Sequence, residues 1–330
     1  MKKTQSLLSC DQRWLMPWAV GLVALFFSFS LFSQDATPKN EPNVAPPATA
    51  SVRPMISTGM GAEAIARNQP DAAVWLMEDN ENRTLALFQP EQDSPAKGAI
   101  LILANEGQSP ASGIAGALRQ PLSRSGWAVM TLGLPKPPFA VQHWLQGQSN
   151  QRPVPEGQDE AEAGGDKDPA AVKINVKDTE SPREALTQYR DQIIAALTAA
   201  VDALQEREYE RIVLAGVGRA AGHVTRQARE DGRASDLVWI AAFFHGDESE
   251  QLADLLTEAA SPSILELYST FTADEVIDRN VRERAAALER AGIAGYRRQP
   301  VAMARQPKPR EARMLASRIS AWLVSEPATR

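Results

Sequence analysis

Among the residues whose types and spacing could do chemistry, the stretch Arg211 to Gly222 (R-I-V-L-A-G-V-G-R-A-A-G) stands first. Ile212 to Ala215 is a short apolar run behind charged residues, and Gly216 and Gly218 follow it, the pattern of a buried strand that turns sharply into a helix. A G-x-S-x-G turn of this kind presents a serine nucleophile, with small flanking residues because the backbone is strained and the helix packs close to the strand. Here the five residues are Gly216, Val217, Gly218, Arg219 and Ala220. The nucleophile position, Gly218, has no side chain, so the turn keeps a catalytic geometry without the atom that would attack. The same letters match the dinucleotide fingerprint G-x-G-x-x-A, but the ribose-binding acid belongs at the end of the following strand. Asp236 stands at its start. Nucleotide binding is therefore the third reading, behind glycines that serve close strand–helix packing.

Three histidines, His143, His223 and His245, are the candidate bases. A histidine without a partnered nucleophile is more often a hydrogen-bonded structural residue. His245 and Asp247 together supply at most two metal ligands, so neither a metal nor a cofactor is expected.

The elements that must position these residues follow from periodicity. Ala62 to Asn68 predicts a short helix, and Val74 to Met77 and Thr84 to Phe88 flank a polar turn as a hairpin. Ala99 to Ala104 and Trp127 to Leu132 predict strands around a helix at Ile114 to Arg124. Ser181-Pro182-Arg183-Glu184 is a capping box with proline at the first helical position, and it opens a long helix with apolar residues from Leu186 to Leu204. After the glycine turn come strands at Leu237 to Phe244, at Ser263 to Tyr268 and within Ala294 to Met303. Helices at Glu248 to Ala259, Val276 to Ala291 and Pro309 to Val324 alternate with them. This order predicts a mainly parallel sheet with an antiparallel N-terminal hairpin and helices on both faces, in one domain over 62–330.

Order and spacing of several stretches resemble a family of small exported α/β-hydrolase-like proteins of Gram-negative bacteria, of unknown function. The likeness rests on A-R-N-Q-P, L-A-L-F-Q-P, G-A-I-L-I-L, S-G-W-A-V-M-T-L-G-L-P, R-I-V-L-A-G-V-G and R-I-S-A-W-L, between Ala62 and Leu323. It implies an α/β-hydrolase fold. Carried over by position, the oxyanion loop matches Asn105-Glu106-Gly107-Gln108, where only Gly107 survives and Glu106 puts negative charge where donors are needed. The acid position matches Asp274, whereas no histidine occurs in Tyr296 to Arg313, where the base belongs. The expectation is a pseudoenzyme that acts as a binding or envelope-interaction module for an unknown ligand or envelope protein. An esterase-like hydrolase with a non-standard nucleophile is the alternative.

Lys2, Lys3 and Arg13 precede the uncharged stretch Trp14 to Ser33, so 1–33 reads as a signal peptide or a membrane anchor. Either way the body is expected in the periplasm, soluble after cleavage or tethered by 14–33, with no other membrane contact. Residues 34–61 carry Pro38, Pro42, Pro46, Pro47 and Pro54 and read as a disordered linker; the acidic, glycine- and proline-rich stretch at about 148–178 reads as a disordered insertion. Cys10, the single cysteine, precedes the apolar stretch, which leaves no disulfide in the body. A net charge of −6 argues against nucleic-acid binding. Against that total, Arg279, Arg282, Arg284, Arg290, Arg297, Arg298, Arg305, Lys308, Arg310, Arg313 and Arg318 face only Glu283, Glu289 and Glu311, a cluster suited to an anionic surface or to a solvated face.

Overall fold

Every residue of the apolar run Ile212–Val217 is buried, as a strand covered on both faces requires, and this strand lies inside an eight-stranded sheet. The computed structural model describes residues 61–77, 83–150, 181–244, 248–257, 262–271, 275–293 and 295–325, all within one compact unit, Ile56–Arg330. In chain order the elements are α1 (Ala62–Asn68), β1 (Ala73–Met77), β2 (Arg83–Gln89), β3 (Ala99–Glu106), α2 (Gly113–Ser123), β4 (Ala128–Leu134) and α3 (Phe139–Asn150). They continue with α4 (Pro182–Gln205), β5 (Ile212–Val217), α5 (Ala220–Asp231), β6 (Ala234–Ile240), α6 (Glu248–Thr257), β7 (Ser263–Ser269), α7 (Glu275–Arg290) and β8 (Tyr296–Val301). A one-turn 3₁₀ helix at Pro309–Glu311 then leads into α8 (Ala312–Ser325).

The strand order is β1-β2-β4-β3-β5-β6-β7-β8. β2 runs antiparallel to both β1 and β4, and β3 to β8 are parallel. Helices cover both faces, which makes this the α/β-hydrolase fold. Alternation along each strand sorts the core into two halves. Ala99, Leu101 and Leu103 of β3 face α4, α5, α6 and α7, while Ile100, Ile102 and Ala104 face α2 and α8. The predicted capping box is formed: the Glu184 N–H donates to Ser181 Oγ (3.2 Å), and the Ser181 N–H donates to Glu184 Oε2 (3.0 Å). Such a cap contributes about 1 kcal/mol.

Several boundaries differ from the sequence expectations, and three of the differences have a local reason. β6 covers Ala234–Ile240 rather than Leu237 to Phe244. Its polar start is stabilised by Arg211, which donates to Asp236 (3.0 Å). It ends where Ala241 turns to φ +48 and the Phe243 N–H donates to the Gly218 carbonyl (3.2 Å). Helix α3 extends to Asn150, into the first residues of the stretch expected to be disordered from about 148; its Val141 is buried, and it packs against α4. The last helix opens with the 3₁₀ turn, where Glu311 Oε2 accepts the Lys308 N–H (2.7 Å). The segments 1–60, 78–82 and 151–180, where the signal or anchor, the disordered linker, the hairpin turn and most of the disordered insertion were expected, lie outside the described residues.

One member of the basic cluster is not on a surface at all. Arg284 of α7 is buried and pairs with Glu266 of β7, which also accepts the Tyr296 hydroxyl of β8. Arg284 further donates to Asn280 Oδ1 (2.8 Å) and lies over the Phe244 ring at 4.9 Å. Asn280 in turn holds the backbone of Phe244: its Oδ1 accepts the Phe244 N–H (3.3 Å) and its Nδ2 donates to the Phe244 carbonyl (2.7 Å). Burial, reinforced by Glu266, pushes the Tyr296 phenol well above its ordinary range and keeps it a donor. Removing one partner leaves a buried charge uncompensated. Arg284→Met is expected to cost about 3–5 kcal/mol in chemical denaturation. Glu266→Leu/Arg284→Met should recover most of that, since the pair's own desolvation cost disappears with it.

Candidate functional site

At the C-terminal ends of the parallel strands, where open α/β sheets bind ligands, a cavity of about 330 Å³ opens directly over the glycine turn. Its floor is Val217, Gly218 and Arg219. β3 contributes Asn105 and Glu106, the segment after β6 contributes Ala241, Ala242 and Phe243, and the end of β7 contributes Tyr268 and Ser269. Ile277 and Val281 of α7 and the segment Arg305, Gln306 and Pro307 close the remaining sides.

Gly216 and Gly218 are glycines for two different reasons. A Cβ on Gly216 would come within 2.6 Å of the Ala221 backbone, so strand and helix could not pack this closely around any side chain. Gly218 stands at φ +59, the left-handed conformation that disfavours residues with a Cβ. Its own Cβ position is already taken: a side chain there would meet Asn105 Oδ1 and, at 2.8 Å, Asn105 Cγ. That same Oδ1 accepts the Arg219 N–H (3.2 Å). In a hydrolase elbow the N–H of the residue after the nucleophile is an oxyanion donor. Asn105 thus fills the space of a nucleophile and holds the donor that would stabilise the product of its attack.

The charges around the turn are paired. Arg219 donates to Glu106 Oε2 (3.0 Å) and lies over the Phe243 ring at 5.6 Å. Burial pushes the Glu106 carboxyl up, against the opposing pull of Arg219. The residue predicted to spoil an oxyanion hole instead forms an ion pair with the residue after the turn. Ser269, a hydroxyl on the cavity wall, donates to the Met303 carbonyl (2.5 Å) and accepts the Phe271 N–H (3.1 Å).

Gly107 makes a left-handed turn at φ +73 against Lys136 and does not line the cavity; Ala220 is buried at the start of α5. Asp274, His245 and Asp247 lie outside the described residues. His143 is exposed on α3. His223 is buried on α5 with its ring edge-on to Tyr189 of α4 (5.8 Å), outside the cavity lining. Where a hydrolase would bring its histidine, the described residues bring Arg305, Gln306 and Pro307. Asp236 pairs in register with Val213, toward the opposite end of β5 from the glycines, and is engaged by Arg211 and Ser235. It cannot serve a ligand at the turn. Among the described residues no group of three or more His, Cys, Asp or Glu could hold a metal ion.

Sequence reasoning passed over Asn105 as a functional residue, and with it Phe243, Ser269 and Arg305. No local signal marks Asn105: the pairing Leu103↔Gly216 is what brings it, two residues further along, beside Gly218.

The chain belongs to the family described as "Protein of unknown function (DUF3530)", whose model matches residues 16–325. No curated protein matches the sequence. Among solved structures it is similar to a dienelactone hydrolase from Anabaena variabilis (12% identity, TM-score 0.49, covering 77% of this chain and 96% of that one). It is similar also to Est1E from Butyrivibrio proteoclasticus (8%, TM-score 0.48, 77% and 98%). The esterase domain of a Rhodothermus marinus protein matches at 14% identity with TM-score 0.47, over 76% and 96% of the two chains.

Two outcomes follow from this geometry. Gly218→Ala should lower stability by about 2 kcal/mol through its left-handed backbone and the contact with Asn105. The loss should be smaller in an Asn105→Gly background, where a double-mutant cycle reads the coupling. Gly216→Ala, which meets backbone rather than a side chain, should cost about 3 kcal/mol with no relief from Asn105→Gly. The second outcome concerns acid. Burial pushes the His223 imidazole down to about 4, with Arg226 adding to the effect, Glu248 opposing it and Arg190 adding again. A folded pKa below the unfolded one means the unfolded chain binds the extra proton, so stability is complete above about 6.5 and is lost as pH falls toward 4. Between pH 7 and pH 5 this group should account for about 2 kcal/mol of lost stability. His223→Phe, which keeps the ring against Tyr189, should flatten that limb in denaturant titrations at the two pH values.

Proposed function

We propose that this member of the DUF3530 family is an exported protein that uses an α/β-hydrolase fold for binding at the cell envelope, without Ser-His-Asp catalysis. The observation that carries the reading is Asn105, whose Oδ1 sits against the Cβ position of Gly218 while accepting the Arg219 N–H. Nucleophilic catalysis needs an activated nucleophile beside a base, and both the atom and its space are missing at the turn. What remains is a cavity lined by both polar and apolar side chains at the C-terminal edge of the parallel strands, where open α/β sheets bind ligands. Export rests on the basic residues before the apolar stretch 14–33, which supports a periplasmic body, either released or tethered through that stretch. Among the described residues no helix is long and apolar enough to cross a membrane. The basic cluster, less the buried Arg284, is proposed as a surface for anionic partners, with Arg310, Arg313 and Arg318 exposed.

The alternative, an esterase-like hydrolase with a non-standard nucleophile, has one specific observation behind it: the Ser269 hydroxyl on the cavity wall. Its proton is committed to the Met303 carbonyl rather than to a base.

The readings separate in one experiment. The full-length protein is incubated with short-chain activated esters and a serine-reactive phosphonate, beside Gly218→Ser and Gly218→Ser/Asn105→Gly. No turnover above buffer and no label is expected in the natural protein, and no turnover in either variant, because the base is still missing. Turnover by the natural protein with the label mapped to Ser269 or another cavity residue would replace the binding reading with the alternative.

A further inference from the structure

We infer that the groove between α2 and α8 binds a phosphate monoester through Arg124 and Arg313, which rests on the anionic surface proposed above and gives it a defined site and ligand class. Arg124 caps the C-terminus of α2, and Arg313 stands in the first turn of α8. They are far apart in sequence and meet because these two helices pack together. Both are exposed, and both line one depression of about 290 Å³ with Gln120, Pro121 and Pro309. No acidic residue lines it.

Other arginines of the fold are matched to acids. Arg83, Arg211, Arg219, Arg226, Arg233 and Arg284 each pair with a carboxylate. Among the described residues, Arg124 and Arg313 have no such partner. The acid nearest to Arg313 in sequence, Glu311, is committed to backbone: its Oε1 accepts the Ala304 N–H (2.9 Å) and its Oε2 the Lys308 N–H (2.7 Å). Lys308 and Arg310, on either side of Pro309, are exposed and add to the positive field at this end of the groove.

The place of Arg313 on its helix points to an anion as well. A cation in the first turn opposes the helix dipole, which favours negative charge there. An anion held between Arg313 and Arg124 removes that conflict. Each guanidinium presents a planar fork of donors that suits phosphate oxygens two at a time. A phosphate monoester carries a charge of about −1.5 to −2 at neutral pH and three strong acceptor oxygens, enough to engage both forks, whereas one fork satisfies a carboxylate. Neutral groups serve the rest of the ester. Gln120 brings an amide, and Ala117, also on the lining, has a carbonyl without its helical donor because Pro121 carries no N–H. The volume, just below the roughly 300–1,000 Å³ of small-molecule sites, admits a headgroup rather than a large cofactor.

Isothermal titration calorimetry on the full-length protein in neutral detergent, with glycerol 1-phosphate and glycerate, tests this, since the two probes share a polyol body and differ in the acid. Glycerol 1-phosphate is expected to bind about tenfold or more tighter than glycerate. Arg124→Gln and Arg313→Gln, both at exposed positions, should each weaken it about tenfold. Arg124→Lys/Arg313→Lys keeps the charge but not the forks, and should still lose about fivefold or more. Dihexanoyl phosphatidic acid, the same monoester on a lipid, separates the sources. Binding about tenfold tighter than glycerol 1-phosphate assigns the groove to a lipid headgroup, and no gain assigns it to a free phosphate ester. Full affinity in Arg124→Lys/Arg313→Lys means that charge alone attracts the anion, which overturns the site and leaves the anionic surface standing. Equal affinity for glycerate overturns the phosphate assignment. Absence of phosphate-ester binding overturns the inference outright, and heparin titrated into the same protein then shows whether the anionic surface falls with it.

Discussion

The contact between Asn105 and the turn at Gly218 constrains everything around it. A left-handed residue between β5 and α5 is what aims the start of the helix at the C-terminal edge of the sheet. Gly218 does this at φ +59 with its own N–H donated to the Ile240 carbonyl (2.9 Å). Its carbonyl accepts the Phe243 N–H, so the segment after β6 is tied to the turn as well. Asn105 then fills the volume that a side chain would claim and satisfies the Arg219 N–H. An unpaired amide buried at this position would cost on the order of 1–3 kcal/mol, so the side chain that blocks chemistry is also one that stabilises the turn. Glycine and asparagine depend on one another here. Neither can be exchanged for its hydrolase counterpart without moving the other.

This mutual dependence explains why the turn resembles two motifs and performs neither. A hydrolase elbow needs a side chain at 218, and the left-handed backbone tolerates one only when the space above is empty. A dinucleotide turn needs the helix N-terminus to be open to a pyrophosphate, and here the N–H of the N-cap residue, Arg219, faces Asn105. The letters of both patterns arise from a shared packing demand, the 2.6 Å approach that any Cβ on Gly216 would make to Ala221. A glycine pattern reports how closely a strand and helix approach. What sits in front of the turn is decided by a different strand.

That difference sets how much could be read in the sequence. Elements formed from local rules were legible: the continuous apolar runs of β3 and β5, the Ser181 to Glu184 box that opens α4, and the hairpin that begins the sheet. The mainly parallel character of the sheet followed from the alternation of strands and helices. Asn105 was not legible as a site residue, because its role depends on β3 lying beside β5 in the register Leu103↔Gly216, a fact of long-range pairing rather than of neighbours in sequence. Arg284 misled for the same reason. It stands in an arginine-rich helix and reads as surface charge, yet its partner Glu266 lies on β7 and the pair is sealed from solvent. The end of β6 was misplaced because Ala241 carries no mark of a left-handed residue; its bond to the Leu267 carbonyl (2.8 Å) and the tie from Phe243 to Gly218 hold it there.

Directional bonds between buried polar groups bear on how the cavity keeps its shape. The half of the core beneath α2 and α8 is largely apolar, with Ser123 and Ser320 among its buried polar residues. On the other face, Thr225 of α5 accepts Trp239 Nε1 of β6 (3.0 Å) and donates to the Ala221 carbonyl (2.7 Å), while Arg284 of α7 is fixed to Glu266, Asn280 and the ring of Phe244. Apolar packing fixes distance between layers but leaves sliding along them inexpensive, whereas directional bonds to buried groups fix register. The two helices held in this way are those that border the cavity: α5 begins at its floor and α7 supplies Ile277 and Val281. Through Asn280, α7 also holds the backbone of Phe244, next to the Phe243 on which Arg219 rests. A positional error in α7 would therefore move Ile277, Val281 and the Phe243 on which Arg219 rests together, so one rigid support sets this side of the cavity.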